Sequence, residues 1–162
     1  MSRTRSATLV HEGGMRFAAT TGTKRTIVYG DVIEQGELSP VETIAVSLGA
    51  CSAMDVISIA LKKRQGVEGY VVHARAEQRD AYPKILTRID LVHEVVGSAI
   101  DTEAIERCIE LSATKYCPVS AMLSSGATEI HHAYRIVRPD QPVEEGEVLV
   151  TGPFRPADPI EP

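Results

Sequence analysis

Tryptophan is absent from this chain of 162 residues, and aromatic residues make up only 4% of it. Such scarcity argues against a stacking platform for bases or glycans. Basic residues are also outnumbered, with 17 Lys and Arg against 22 Asp and Glu, which gives a net charge of -5. This balance argues against a nucleic-acid-binding domain, since such a domain normally carries a basic face.

Cysteine is scarce as well. The three cysteines are an odd number with no CxxC pair, so the spacing indicates neither a disulfide framework nor a zinc finger. The N-terminal residues alternate polar and apolar without the apolar core of a secretory signal. We therefore expect a protein of the reducing cytosol, and no metal-binding motif points to a cofactor.

The longest apolar run, 43–61, contains Asp55 as its only charge. An aspartate at the centre of a membrane span costs about 2.5–3.5 kcal/mol, and several serines also interrupt the run. We expect no membrane association. The run instead predicts a helix buried on nearly all sides within a soluble protein.

Length and hydropathy patterning predict one domain of α+β class, 1–138, followed by a Pro-rich tail, 139–162, of irregular structure. The element order is β-β-β-α-β-β-α-α-β. The predicted strands are 4–11, 15–20, 24–29, 70–79, 84–96 and 127–137. The predicted helices are 40 to about 62–64, 101–111 and 118–124.

The first helix has a clear opening signal. Ser39 is placed as the N-cap, Pro40 at the first helical position and Glu42 at the third, which completes a capping box. The preceding residues, 30–39, are polar and predict a loop. Gly66 is predicted to end the helix.

Thiol chemistry is the one chemistry that the sequence favours. A cysteine reacts as its thiolate, and Cys117 immediately precedes Pro118, which would place it at a helix N-terminus where negative charge is favoured. Cys51 lies in the middle of the apolar helix, where burial raises a thiol pKa unless a cation reaches it. Cys108 occupies an apolar stripe and is interpreted as a core residue.

Other polar residues carry weaker signals. Asp55 lies one helical turn after Cys51, on the same face of the helix. It is either a polar group of the site or a carboxylate that a structural partner satisfies. The structural partner is the interpretation that we prefer. His131 and His132 point to opposite faces of a predicted strand and cannot share a metal. His73 and His93 are single strand residues, more often exposed or satisfied than metal ligands, and His11 carries no signal.

The sequence resembles the OsmC/Ohr family. Two segments carry the resemblance: Ser39-Pro40-Val41-Glu42 followed by Leu48-Gly49-Ala50-Cys51, and the later run ELSATKYCPVSAML around Cys117. It is most similar to the YhfA-like OsmC branch. The resemblance implies curved antiparallel sheets around a long buried central helix, in an intertwined homodimer.

The resemblance also implies a function, the reduction of organic hydroperoxides by thiols. Cys51 resembles the peroxidatic cysteine and Cys117 the resolving cysteine. An external dithiol would reduce the disulfide between them, and no metal, haem or flavin is required.

One part of the family pattern is displaced. In the peroxidases an arginine from the N-terminal strands, held by a glutamate at the start of the central helix, supports the reactive thiol. Here Val41 stands at the position of that acid, and Glu42 follows one residue later, rotated by about 100° around the helix. Arg16 and Arg25 both match the arginine, and we favour Arg16 because it interrupts an apolar strand near a Gly-Gly turn.

Two functions follow from these residues. The first is a cysteine-based hydroperoxide reductase that uses Cys51, Cys117, Glu42 and Arg16. The second is a non-enzymatic, stress-associated protein that senses redox state or binds a small molecule without turnover.

Overall fold

A computed structural model describes residues 4–31 and 36–150. They fall into two compact units, 1–44 and 45–162. The described residues exclude 32–35 of the predicted loop and 151–162 of the predicted tail. The predicted elements are all present, and the structure adds a π-helical turn and one further strand.

The first unit contains an antiparallel meander, with strand order β1-β2-β3. Its strands are β1 (Ala7–Gly13), β2 (Arg16–Thr21) and β3 (Thr26–Tyr29). Gly13 and Gly14 form the first turn with φ of 110° and 55°, which other residues rarely adopt. The predicted hairpins are confirmed.

Helix α1 (Pro40–Lys62) begins in the first unit and continues into the second. At its start the amide and the hydroxyl of Thr43 both donate to the carbonyl of Ser39. The helix ends at Lys62, within the predicted range, but Gly66 is not the residue that ends it. Arg64 adopts the left-handed conformation, φ 57°, and the amide of Gln65 donates to Ala60.

Only part of α1 is buried. The buried residues are Ala45, Leu48, Gly49, Ser52, Val56 and Ala60. By length and composition α1 could cross a membrane, a test that core helices of soluble proteins also pass, and 33% of its apolar window is buried. The expectation of burial on nearly all sides was wrong for the single chain, because Val46, Met54 and Leu61 remain exposed.

The second unit contains a four-stranded sheet of order β4-β5-β6-β7. Its strands are β4 (Gly69–Gln78), β5 (Leu86–Val96), β6 (Glu129–Val137) and β7 (Glu144–Val148). The β5–β6 pair is parallel and the other pairs are antiparallel. Strand β7 lies in the predicted irregular tail, so that prediction was wrong for 144–148. The polar sequence of β7 gives little indication of a strand, and this segment becomes one through its pairing with β6.

The connection from β5 to β6 holds the helical elements that carry Cys117. Helix α2 (Thr102–Leu111) is capped by Asp101, whose carboxylate accepts from the amide of Ala104 at 2.9 Å. A π-helical turn (Ser112–Tyr116) follows, and then α3 (Pro118–Ser124). A single π-helical turn is frequent at functional sites.

The core of the second unit lies between α1, α2 and one face of the sheet. Alternate residues of β5 and β6 are buried there, as the predicted alternation requires. The core cluster is Val56, Ala60, Val95, Ile100, Ile105, Cys108, Ile109, Tyr134 and Ile136. The face of α1 that carries Val56 and Ala60 is thereby fixed against α2 and the sheet.

Candidate active site: a paired thiol centre

Two cysteines far apart in sequence meet in the second unit. Cys51 comes from the middle of α1, and Cys117 lies between the π-helical turn and α3. Their Sγ atoms and a carboxylate oxygen of Asp55 all lie within 4.8 Å of one another. Both cysteines are free thiols, and their separation needs only a small movement to become a disulfide bond.

Cys117 is the N-cap residue of α3, as predicted. Its backbone is extended, Pro118 follows, and its Sγ accepts a hydrogen bond from the amide of Ser120 at 3.3 Å. The side chain is only 2% exposed. Burial and the neighbouring Cys51 raise the pKa of Cys117 to about 12, against the opposing effect of the Ser120 and Val119 amides.

The prediction that the helix terminus activates Cys117 was therefore wrong in its net effect. The backbone donors are present, but desolvation of the sulfur outweighs them. Burial therefore favours the protonated form of the Cys117 thiol. Cys51 is the more accessible of the two, since its side chain is partly exposed whereas that of Cys117 is buried.

Asp55 lies in the site with both sulfurs and also has a structural partner. The hydroxyl of Ser112 donates to its carboxylate at 3.2 Å, and Ser112 lies 3.4 Å from the hydroxyl of Ser52. Burial raises the pKa of Asp55, and the Ser112 hydroxyl opposes this rise. Both interpretations of Asp55 thus hold.

Sequence reasoning missed both serines of this network. Ser52 adjoins Cys51, but serine within an apolar helix gives no distinct signal. Ser112 is the first residue of the π-helical turn, which the periodicity of the sequence did not predict. Both serines are buried, so their hydroxyls require the partners that the network supplies.

The first unit holds Arg16 by two carboxylates. Its guanidinium donates to Glu37 at 2.5 Å and to Glu12 at 2.9 Å, and these bonds raise the pKa of Arg16. Glu37 is only 4% exposed, and its carboxylate lies against Gly30, where an added Cβ would overlap it. Glu37 stood within the predicted loop, with no signal that marked it.

Glu42, the predicted partner of this arginine, lies exposed in the first turn of α1. There its charge complements the positive end of the helix dipole, which is sufficient reason for an acidic residue at this position. Arg25, the alternative arginine, is exposed beside the turn between β2 and β3, where its amide donates to the hydroxyl of Thr21. The partner of Arg16 is Glu37, from the segment before α1.

Cys108 is a core residue, as predicted. It is fully buried in the cluster between α2 and the sheet, and burial raises its pKa. A thiol in this position is inert compared with an accessible one.

A second polar group in the sheet joins Tyr70, His93 and His132. The hydroxyl of Tyr70 lies 2.7 Å from Nδ1 of His93, and Nε2 of His93 lies 3.5 Å from Nδ1 of His132. Burial lowers the pKa of His93 to about 3, so its ring is neutral. The Tyr70 hydroxyl can donate to Nδ1 or accept from it, so either ring nitrogen of the neutral His93 can carry the proton.

Fold and site together define an α+β protein with two thiols paired beside a central helix. A sequence profile described as "OsmC-like protein" matches residues 33–132, and the chain belongs to this family. The predicted resemblance to OsmC/Ohr proteins and the predicted α+β class are confirmed. The prediction of antiparallel sheets was wrong for the β5–β6 pair, which is parallel.

Individual known proteins are also similar to this chain in sequence or in fold. The chain is 40% identical over 99 residues to Protein YhfA of Escherichia coli K12, covering 61% of this chain and 73% of that protein. A hypothetical protein from Aquifex aeolicus VF5 is 28% identical, with a TM-score of 0.74 over 86% of this chain and 100% of that structure.

Some structural neighbours have names that state a function. A structure from Legionella pneumophila, titled as an organic hydroperoxide resistance protein OsmC, has a TM-score of 0.60 and 14% identity, covering 84% of this chain and 97% of its own. At this identity the likeness shows the fold.

Proposed function

We propose that this protein is a thiol-dependent peroxidase that reduces organic hydroperoxides, with Cys51 as the peroxidatic and Cys117 as the resolving cysteine. The observation that carries the proposal is the approach of the two Sγ atoms to within 4.8 Å. Membership of the OsmC-like family, in which structural neighbours are named hydroperoxide resistance proteins, supports it.

The first step assigns the nucleophile to Cys51. Its thiolate attacks one peroxide oxygen, the O–O bond breaks, and the other oxygen leaves as an alkoxide that takes a proton to become the alcohol. Cys51 is left as a sulfenic acid. The high pKa and burial of Cys117 favour this assignment, because a buried protonated thiol competes poorly for the peroxide.

The second step uses Cys117. Its sulfur attacks the sulfenic sulfur of Cys51, an S–S bond forms, and the departing hydroxide takes the Cys117 proton and leaves as water. An external dithiol then reduces the disulfide by thiol–disulfide exchange.

We assign the supporting cation to Arg16 and its positioning to Glu37, in place of Glu42. Two carboxylates hold the Arg16 guanidinium, and one of them is buried. The family resemblance implies that such an arginine supports the peroxidatic thiolate, because a cation stabilises the charged form of a thiol. Glu42 retains the role of a helix-end charge.

Turnover of an organic hydroperoxide by the reduced protein with dithiothreitol tests the proposal. Cys51→Ser should abolish turnover, and Cys108→Ala is the matched control that should retain it. In Cys117→Ser a sulfenic-acid trap should label Cys51. After one equivalent of peroxide, peptide mapping of the parent protein should find the Cys51–Cys117 disulfide.

The second candidate is a redox-sensing or small-molecule-binding role without turnover. The deep burial of Cys117 favours it, since a buried resolving thiol departs from an efficient peroxidase site. Peroxide loss below one equivalent, unaffected by Cys51→Ser, would support this role and contradict the peroxidase.

We further propose that the protein is a cytoplasmic homodimer. The reducing cytosol suits a chain whose three cysteines are all free thiols. Exposed apolar side chains along α1, including Val46, Met54 and Leu61, would be covered by a second copy. Light scattering should give twice the chain mass of 17.5 kDa, and a monomer mass would contradict the dimer.

A further inference from the structure

The reduced thiol centre presents three metal-ligand side chains that converge on one point. We propose that Cys51, Cys117 and Asp55 bind one thiophilic divalent cation, of which Zn²⁺ is the physiological representative. The Sγ atoms and a carboxylate oxygen all lie within 4.8 Å of one another. All three ligands belong to the second unit, in α1 and at the start of α3.

The spacing suits tetrahedral coordination. With Zn–S bonds of about 2.3 Å and Zn–O bonds of about 2.0–2.2 Å, neighbouring ligand atoms are roughly 3.5–3.8 Å apart. The observed upper limit of 4.8 Å exceeds this by an amount that small side-chain rotations remove. Cys51 and Asp55 are one helical turn apart, a spacing that places both side chains on the same face of α1.

The residues behind the ligands are arranged as supports. The Ser112 hydroxyl donates to the Asp55 carboxylate at 3.2 Å, and the Ser120 amide donates to the Cys117 sulfur at 3.3 Å. Hydrogen bonds of this kind orient ligands and are part of a working metal site.

The chemistry of the ligands selects the metal. Two thiolates and one carboxylate favour Zn²⁺ over Mg²⁺ and Ca²⁺, which prefer sets of oxygen ligands. Binding replaces the protons of the two thiols, so one Zn²⁺ enters and two protons leave. Three protein ligands leave a fourth position for water.

Metal binding and disulfide formation exclude each other, because both use the same two sulfur atoms. A bound cation would therefore hold the centre reduced and block attack on a peroxide. The metal is a competing ligand here and takes no part in turnover. The binding itself needs only the reduced thiols and does not rest on the proposed function.

Titration of the reduced, chelator-treated protein with Co²⁺, followed by displacement with Zn²⁺, tests the site. We expect one Co²⁺ per chain, an intense thiolate-to-cobalt absorption band, and loss of that band on addition of one equivalent of Zn²⁺. Cys51→Ser and Cys117→Ser should each weaken binding at least about tenfold, and Asp55→Asn should weaken it while keeping the thiolate band. Cys108→Ala is the matched control and should bind as the parent does.

A second part of the experiment uses the parent protein without any amino-acid substitution. The parent protein oxidised to the Cys51–Cys117 disulfide should not bind Co²⁺, and reduction should restore binding. Absence of the thiolate band in the reduced parent, or equal binding by the oxidised protein, would overturn the proposal. The titration contains no peroxide and the turnover assay contains a chelator, so failure of one proposal is distinguishable from failure of the other.

Discussion

The hydroxyl of Ser112 donates a 3.2 Å hydrogen bond to the carboxylate of Asp55, and this bond links the π-helical turn to the helix that carries Cys51. The turn in turn positions Cys117, whose amide donates to the carbonyl of Ser112 at 2.9 Å. Ser112 therefore contacts both halves of the thiol centre.

Asp55 should lower stability as it ionises. Burial raises its pKa above the ordinary 3.8, so the folded state binds its proton more tightly than the unfolded state does. Its stabilising contribution is present below pH 3.8 and is lost as pH rises through the raised value. Asp55→Asn, which keeps an oxygen for Ser112, should therefore gain unfolding free energy relative to the parent as pH rises.

Denaturant unfolding between about pH 3 and pH 8 would measure this difference, because that range runs from below the ordinary aspartate pKa of about 3.9 to well above it. Asp90→Asn is the matched control with the opposite sign, because Arg88 lowers the pKa of Asp90. A pH-independent difference between Asp55→Asn and the parent would contradict the expected burial effect.

Glu37 should matter more than Glu42 for peroxide turnover. Glu37→Gln removes the buried charge that holds Arg16. We expect kcat/KM to fall by roughly tenfold to a hundredfold, because a small displacement of a supporting group has an effect of this size on a reaction rate. Glu42→Gln, at an exposed position, should leave it unchanged. Thermal unfolding of both variants separates a folding defect from a catalytic one. A larger loss in Glu42→Gln would restore Glu42 as the supporting acid.

His93 should make the protein sensitive to acid. Its pKa falls from 6.5 to about 3 in the folded state, so the unfolded state takes up the proton first. The stability that neutral His93 contributes is present above pH 6.5 and is lost as pH falls, at up to about 1.4 kcal/mol per pH unit.

His93→Gln should flatten this decline in unfolding free energy between pH 6.5 and pH 4.5, measured by denaturant titration at intervals of about half a pH unit. The matched control is His73→Gln, since His73 is exposed on the neighbouring strand β4. Parallel pH profiles for His93→Gln and the parent would show that His93 is not the titrating group.

Gly97 should tolerate no side chain. A Cβ at this position would overlap the carbonyl oxygen of Gly66, a backbone atom that cannot rotate away. We expect Gly97→Ala to lower the unfolding free energy by about 3 kcal/mol, the upper end for overpacked sites. Gly126→Ala is the matched control, because its Cβ would meet only the Leu123 carbonyl at 3.5 Å. Equal stabilities would contradict the close approach.

Local sequence signals predicted most of the secondary structure. The alternation in β5 and β6 and the Ser39-Pro40 opening of α1 each act within a few residues, and the structure confirms them. Strand β7 was missed because its sequence is polar and only its pairing with β6 makes it a strand.

The features of the candidate site also separate into those that local sequence predicts and those that tertiary structure decides. The sequence by itself determined the identity of the two thiols, the N-cap position of Cys117 and the helical spacing of Cys51 and Asp55. Their approach, the choice of Glu37 for Arg16 and the net effect on the Cys117 pKa depended on tertiary structure. The physical reason is that helix dipoles and caps act locally, whereas burial and ion pairing depend on residues brought together from distant parts of the chain.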